Sequence, residues 1–154
     1  MKLSEKGRHA PAPKLRPLAQ RVVHELCTWT GLEGRTHWLL GDETVVDGAD
    51  FHVGQDEVGH IHLESEAHVM LPARVVTALV RASLGAPFQW SRGVVVHRIA
   101  READVEHAVW LFQLSYDHLA GVSAAALIER VERRAAVGVA GARSPEIPAA
   151  RSTG

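Results

Sequence analysis

Three histidines lie close together in one short stretch, EVGHIHLESEAHVML (residues 57–71). His60 and His62 are separated by a single residue, and His68 follows further along the same stretch. Imidazole titrates near neutral pH and is the commonest protein ligand of transition metals. The three residues therefore have two chemical interpretations, a metal site or a pocket that deprotonates an acidic organic ligand. A polar, solvent-facing sheet surface is a third interpretation and needs no function.

The alternation of side chains along a β-strand predicts that these histidines share one face of a sheet. In residues 58–64, Ile61 and Leu63 point to one side, while His60 and His62 point to the other. Because the apolar side is expected to face the core, the histidines are expected on the opposite face.

A loop over Glu64–Glu66 is predicted between this strand and the next. An odd number of loop residues keeps the apolar side chains of both strands on the core face. With this loop, His62 lies opposite His68 and His60 lies opposite Met70, close enough for their side chains to touch.

A further histidine is expected on the same face from the preceding strand, ADFHVG (residues 49–54). If Phe51 and Val53 face the core, His52 turns to the histidine face, with Asp50 nearby. His52 is then expected to contact any ligand held there. The histidines predicted to share this face are His52, His60, His62 and His68.

The remaining apolar patterns predict an α+β fold. Four segments have apolar residues at helical spacing, and the segments between them alternate as strands do. The expected order is α-β-β-β-β-α-β-α-α, with a single antiparallel β-sheet of about five to six strands and helices packed on one face. The predicted strands are THWLL, ETVVD, ADFHVG, EVGHIHLE and AHVML before the second helix, and GVVVHRI after it.

The two ends of the chain are polar or rich in small residues, contain proline and show no apolar period. Residues 1–14 and 138–154 are therefore predicted to be disordered tails. Residues 15–137 are predicted to form a single domain.

Composition narrows the class of partner. The chain has 154 residues, a formal net charge of −1 and a single cysteine, Cys27. A charge so near zero gives no support for binding to nucleic acid or to an anionic membrane. The single cysteine, the lack of an apolar run of membrane-spanning length and the polar N-terminus favour a cytoplasmic protein.

The long helix predicted after the last strand carries a second apolar side. Trp110 and Leu114 lie opposite its main apolar stripe. The last predicted helix, residues 123–137, is one candidate cover for them, and a second copy of the chain in a homodimer is the other.

Two longer stretches resemble the bacterial branch of the luciferase-domain family: FHVGQDEVGHIHLESEAHVMLPARVVTALV (residues 51–80) and GVVVHRIAREADVEHAVWLFQLSYDHL (residues 93–119). The resemblance covers about residues 18–120, and its most specific parts are EVGHIH, the Leu71-Pro72 pair and EADVEHAVWLFQLSY. Fungal members of this family oxidise a hydroxylated pyrone luciferin with molecular oxygen and emit light.

The resemblance implies roles for individual residues. Gly59, His60 and His62 match the family's G/A-H-x-H motif. His68 matches a histidine of the fungal pattern, and Tyr116 matches the tyrosine that ends an SY motif. The implied site is a pocket in which His60 or His62 acts as a base toward an enolic substrate, with ligand contacts from His68 and Tyr116. This chemistry requires no cofactor, and a metal held by the histidines stays open.

The chain departs from the family pattern in the segment GAPFQWSRG (residues 85–93). Family members commonly carry a histidine-rich HP or HH segment there, whereas this chain has Ala86 followed by Pro87. The bacterial branch also tends to have tryptophan where this chain has Val94. Enzymatic activity therefore does not follow from the family likeness.

Two functions remain after these observations. The first is binding of a small organic molecule in a histidine-lined pocket, with oxygen-dependent oxidation of an enolic substrate as its reaction. The second is a non-enzymatic interaction module, a homodimer or a nucleic-acid binder, because the element order also resembles small double-wing proteins proposed to bind DNA. A deep pocket that contains His60 and His62 would favour the first function.

Overall fold

Six antiparallel strands form one sheet in the computed structural model, which describes residues 2–141. The strands are β1 (Leu32–Leu39), β2 (Asp42–Val53), β3 (Asp56–His62), β4 (Glu66–Met70), β5 (Ala86–Phe88) and β6 (Ser91–Arg98). The α-helices are α1 (Pro17–Leu26), α2 (Ala73–Arg81), α3 (Glu102–Leu119) and α4 (Ala124–Gly141). The strand order across the sheet is β1-β2-β3-β4-β6-β5. The predicted α+β class, the single antiparallel sheet and the order of elements are confirmed.

Two strand predictions differ in detail from the structure. ETVVD and ADFHVG, predicted as separate strands, belong to the single 12-residue strand β2. The short strand β5 was not predicted, and it pairs with β6 as an antiparallel hairpin at one edge of the sheet. The turn of this hairpin carries Trp90, which is 78% exposed.

The hydrophobic core lies between the sheet and the helices. Phe51 of β2 and Phe112 of α3 are fully buried, and their rings meet edge to face with centroids 5.6 Å apart. Around them, α1 packs on α3, α3 on β3 and β4, and α2 on β6 and α4. Other fully buried apolar side chains of this core are Val22, Leu26, Val58, Ile61, Val69, Leu79 and Leu111. The helices therefore cover the apolar face of the sheet and leave the other face for the histidines.

Proline and aspartate fix the starts of the helices that pack on the sheet. Pro17 is the first residue of α1, and Pro72 immediately precedes α2, where a missing N–H costs nothing. At the start of α3, the Asp104 carboxylate accepts the backbone N–H groups of Ala100 and Arg101 at 3.0 and 2.8 Å. These groups would otherwise lack partners at a helix N-terminus.

The second apolar side of α3 is covered by the same chain. Leu114 is 1% exposed. The guanidinium of Arg134, on α4, lies 4.5 Å from the centre of the Trp110 ring. Of the two covers considered from the sequence, α4 contacts Trp110 through Arg134, and Leu114 is buried within the chain.

The N-terminal segment differs from the predicted loose tail. Lys2 forms a β-bridge with Asp56, and residues 3–5 form a short 3-10 helix. Further along, the Thr36 N–H donates to the Ala10 carbonyl at 2.8 Å, and the Trp38 Nε1–H donates to the Arg8 carbonyl at 2.9 Å. Backbone pairing with edge strand β1 and buried charge at Lys6, described below, hold this segment against the sheet.

At the other end of the chain, residues 138–141 continue α4. The rest of the predicted C-terminal tail, residues 142–154, lies outside the described residues. Among the helices of residues 2–141, none is long and apolar enough to cross a membrane.

Gly59 sits where β3 meets both β4 and α3, and the space leaves no room for a side chain. A Cβ atom at Gly59 would lie 2.5 Å from the His68 carbonyl oxygen and 2.7 Å from Cε1 of Phe112. We expect Gly59→Ala to lower the free energy of unfolding by about 1–3 kcal/mol, the usual cost of overpacking. The matched control is Gly34→Ala in β1, where the nearest atoms would be 3.5 and 3.6 Å away. Urea denaturation of both variants checks this, and equal losses would contradict it.

Candidate functional site

The β3–β4 hairpin brings His60 and His68 together, with a register that differs from the predicted one. His60 pairs with His68, and Ile61 pairs with Ala67. The turn closes one residue earlier than predicted, because Ser65 adopts a left-handed conformation (φ 66°) and its N–H donates to the His62 carbonyl at 2.9 Å. The predicted His62–His68 pairing is therefore wrong. The turn still has an odd number of residues, so the histidines keep their common face.

The histidine face also contains His37 of β1, which sequence reasoning missed. Gly48 of β2 pairs with His37 on one side and with His62 on the other. A Cβ atom at Gly48 would lie 2.1 Å from the Ile61 carbonyl oxygen and 2.8 Å from His62 Cα, so glycine lets β3 lie close to β2 at this point. The His37 ring stacks on the His60 ring, with centroids 4.1 Å apart and planes 8° apart, and lies 5.3 Å from the His62 ring. The place of His37 depends on how β1, β2 and β3 align with one another. No local sequence pattern determines that alignment.

Three of these histidines share one hydrogen-bonding pattern. Each Nδ1 atom lies against a carboxylate oxygen: His37 on Asp50 at 2.8 Å, His60 on Glu57 at 2.7 Å and His62 on Asp47 at 2.9 Å. An ionised carboxylate only accepts hydrogen bonds, so we assign the proton to Nδ1 and the lone pair to Nε2 in each ring. The carboxylates thus fix the tautomer and the orientation of all three imidazoles.

A buried lysine balances the charge of two of these carboxylates. The Lys6 ammonium lies 3.2 Å from Asp50 Oδ1 and 2.8 Å from Glu57 Oε2, and the three side chains are 7%, 0% and 3% exposed. Burial by itself would raise the pKa of Asp50, but the hydrogen bond from His37 and the charge of Lys6 hold that pKa well below its usual range. Glu57 behaves in the same way, with His60 and Lys6 lowering its pKa against burial.

Burial sets the protonation of the histidines at this site. It lowers the pKa of His60 to about 4, although the hydrogen bond to Glu57 acts in the opposite direction. Burial also lowers the pKa of His62, against the charge of Asp47. At pH 7 both imidazoles are therefore neutral, and each has an Nε2 lone pair available to a proton or a metal ion.

The structure brings some of the predicted site residues together and excludes others. His68 joins the cluster, with its ring 4.9 Å from that of His60 and 4.6 Å from that of His62. Its Nε2 atom pairs with Glu66 at 2.9 Å. His60, His62 and His68 are thus neighbours in space, as the sequence predicts.

His52 and Tyr116, both predicted ligand contacts, lie elsewhere. A β-bulge shifts the register at His52, which is 1% exposed and does not line the cavity. Its Nε2 atom is 4.0 Å from Asp50 Oδ2, and neither of its ring nitrogens has a hydrogen-bond partner among residues 2–141. Tyr116 is on α3, where its hydroxyl donates to the Thr30 carbonyl at 2.7 Å and its ring packs on Trp29. Tyr116 has a structural role in the helical layer.

A cavity of about 1070 Å³ opens over the histidine face. Its lining includes His37, His60, His62 and His68. Its rim comes from two hairpin turns, Leu39–Gly41 between β1 and β2 and Phe88–Ser91 between β5 and β6, and Leu40 and Trp90 there are 87% and 78% exposed. The volume suits a small organic molecule, with a polar group at the histidines and an apolar body at the rim.

Comparison with known proteins agrees with the resemblance read from the sequence. Residues 55–115, from the β2–β3 turn into α3, match the family model described as Luciferase domain. This match supports membership of the luciferase-domain family for the segment that carries the histidine hairpin. His60, His62 and His68 lie inside the matched segment, whereas Lys6 and His37 lie before it. Searches of curated proteins and of solved structures gave no match.

The buried position of Lys6 predicts a large effect on stability. We expect Lys6→Met to lower the free energy of unfolding by about 3–5 kcal/mol, because it leaves two buried carboxylates without their ammonium partner. Lys2→Met is the control, since the Lys2–Asp56 pair is 60% and 51% exposed and is expected to contribute less than about 1 kcal/mol. Urea denaturation at pH 7 measures both. Similar values for the two variants would contradict the buried position of the N-terminal segment.

The low pKa of His60 predicts how stability depends on pH. Between about pH 6.5, the ordinary pKa, and about pH 4, the folded-state pKa, the unfolded chain binds a proton that the folded chain does not. Stability is therefore full above pH 6.5 and falls as the pH drops toward 4, by up to about 3 kcal/mol from this residue.

His60→Asn keeps a donor toward Glu57 and removes the titrating ring. We expect its free energy of unfolding to fall less steeply between pH 6.5 and 4. The reason is that unfolding of the variant takes up about one proton fewer than unfolding of the parent. Denaturant titrations at several pH values measure the slope. Parallel pH profiles of the variant and the parent would show that His60 titrates normally.

Proposed function

We propose that the protein binds a weakly acidic, enolic organic molecule in the histidine cavity and oxidises it with molecular oxygen. The observation that carries this proposal is the cavity itself, with neutral, carboxylate-anchored imidazoles at its buried end. The match of residues 55–115 to the luciferase-domain family supports the same reaction class.

The proposed chemistry begins with a proton transfer. The enol oxygen of the ligand lies against His60 and His62, and an imidazole of the cluster accepts its proton. The enolate carbon then donates its electron pair to dioxygen, so that a carbon–oxygen bond forms and dioxygen is reduced to a bound peroxide. The proton returns from the imidazolium to the peroxide, which gives a hydroperoxide. Dioxygen is the only oxidant that this sequence of steps requires.

The positions of the carboxylates support proton uptake by the cluster. Glu57 and Asp47 each lie behind one imidazole, at 2.7 and 2.9 Å from its Nδ1 atom. A carboxylate in this position stabilises the imidazolium that forms when Nε2 takes up a proton. In a partly dry cavity these interactions are stronger than in water.

The alternative, a non-enzymatic interaction module, gains no specific support. The net charge of −1 does not favour nucleic acid, Leu114 is buried within the chain, and Arg134 of α4 lies over the Trp110 ring. A cavity lined by His60 and His62 is the feature that the small-molecule function requires, and it supports that function over the alternative. The cytoplasm is the proposed compartment, as the single cysteine suggests.

A simple enolic probe tests the proposal. With 4-hydroxy-6-methyl-2-pyrone as substrate, we expect oxygen uptake by the parent protein and a loss of at least about 100-fold in His60→Asn, the usual contribution of acid–base catalysis. Quenching of tryptophan fluorescence measures probe binding, because Trp38 and Trp90 line the cavity.

His24→Asn is the matched control for this experiment, because His24 is exposed on α1, on the helical side of the sheet. It should bind and oxidise the probe as the parent does. Probe binding that is the same in the parent and in variants of His60 and His62 would refute the cavity as the binding site.

A further inference from the structure

We propose that His37, His60 and His62 form a three-histidine site for a first-row divalent metal ion. This inference rests on the same cavity as the proposed function and specifies what lies at its polar end. One ring nitrogen from each residue lies within 4.8 Å of the others. Three imidazoles with an open coordination position are the ligand set of catalytic zinc and related metal sites.

The hydrogen bonds behind the imidazoles are those of a metal site. Ligating histidines almost always place their second ring nitrogen on a carboxylate or a carbonyl, which fixes the ring and strengthens the ligand. Here all three Nδ1 atoms are held in this way, by Asp50, Glu57 and Asp47. The free Nε2 of His37 is 3.8 Å from Asp47, too far for a hydrogen bond. Each ring therefore has one nitrogen free for an ion.

A second group of possible metal ligands already holds the ammonium group of a lysine. Asp50, Glu57 and His60 also bring three ligand atoms within 4.8 Å of one another. The Lys6 ammonium, however, lies 3.2 Å from Asp50 and 2.8 Å from Glu57. A divalent cation is not expected beside a buried ammonium that has these partners. Of these two groups, the three histidines are therefore the proposed metal site.

The ligand set differs by one residue from the set expected on sequence grounds. His68 was a candidate ligand, but it is not part of the group whose ligand atoms lie within 4.8 Å of one another. His37 takes its place, across Gly48 from His62. The parallel His37 and His60 rings must tilt toward each other to share one ion.

This site gives the cavity residues distinct roles. With an ion bound, His37, His60 and His62 would hold it, and the ion would stabilise the negative charge of an enolate oxygen. In that metal-bound state His68, outside the ligand set and 4.9 Å from His60 between ring centres, would replace His60 and His62 as the imidazole that accepts the enol proton. The apolar rim at Leu40 and Trp90 contacts the rest of the ligand.

Cobalt(II) alone is the probe for this site, because its visible absorption reports nitrogen ligands directly. We expect the parent protein, freed of metal by a chelator, to bind about one equivalent of Co²⁺ with visible bands of low coordination number. His37→Asn and His62→Asn keep a donor toward their carboxylates, and each should weaken Co²⁺ binding by at least about 100-fold, the upper end of the cost of losing an orienting partner. Asp47→Asn should weaken it by about 10- to 100-fold.

His68→Asn and His24→Asn are the matched controls and should bind Co²⁺ as the parent does. Unchanged binding in His37→Asn, or lost binding in His68→Asn, would overturn the proposed ligand set. Far-ultraviolet circular dichroism checks the fold of each variant. His62 is 23% exposed, so His62→Asn keeps the test valid if His37→Asn does not fold.

The same samples separate this inference from the proposed function. Oxidation of the pyrone probe by protein that binds no Co²⁺ would overturn the metal site and leave the proposed function standing. Co²⁺ binding at the three histidines without any binding of the pyrone would support the metal site and overturn the proposed function.

Discussion

Two carboxylates, Asp50 and Glu57, are almost completely buried on the histidine face, and the rest of the site depends on how their charge is balanced. An ionised carboxylate out of water costs several kcal/mol unless opposite charges and hydrogen bonds surround it. Lys6 supplies the charge, and the Nδ1–H groups of His37 and His60 supply hydrogen bonds. The hydrogen bonds that stabilise these buried carboxylates also fix the orientation of the histidine rings.

This balance links the N-terminal segment to the chemistry of the cavity. Lys6 reaches the carboxylates from an N-terminal segment that bridges to β3 at Lys2 and to edge strand β1 at Pro11. Glu5, Lys6 and Gly7 also line the cavity. The segment is therefore part of the site, although it precedes the portion that matches the luciferase-domain family.

Glycines on the sheet provide the space that the site needs. Gly48 lies between His37 and His62 across β2, and the backbone of β3 lies so close that a Cβ atom there would be 2.1 Å from the Ile61 carbonyl oxygen. Gly59 does the same on the opposite face, where Phe112 of α3 packs directly on β3. One glycine thus lets β3 lie close to β2 beside the histidines, and the other lets the helical layer approach the strand that carries His60 and His62.

The sequence by itself determined the order of elements, the α+β class and the shared face of His60, His62 and His68. These features follow from local periods, two residues in a strand and 3.6 in a helix, which a chain carries whatever its tertiary partners are. The sequence did not determine the register of β3 and β4, because the choice between two loops of equal length depended on the backbone of Ser65. Only the tertiary structure added His37 and Lys6 and excluded His52 and Tyr116. Their positions depend on which strands become neighbours and where a bulge falls, and these are properties of contacts between segments far apart in the chain.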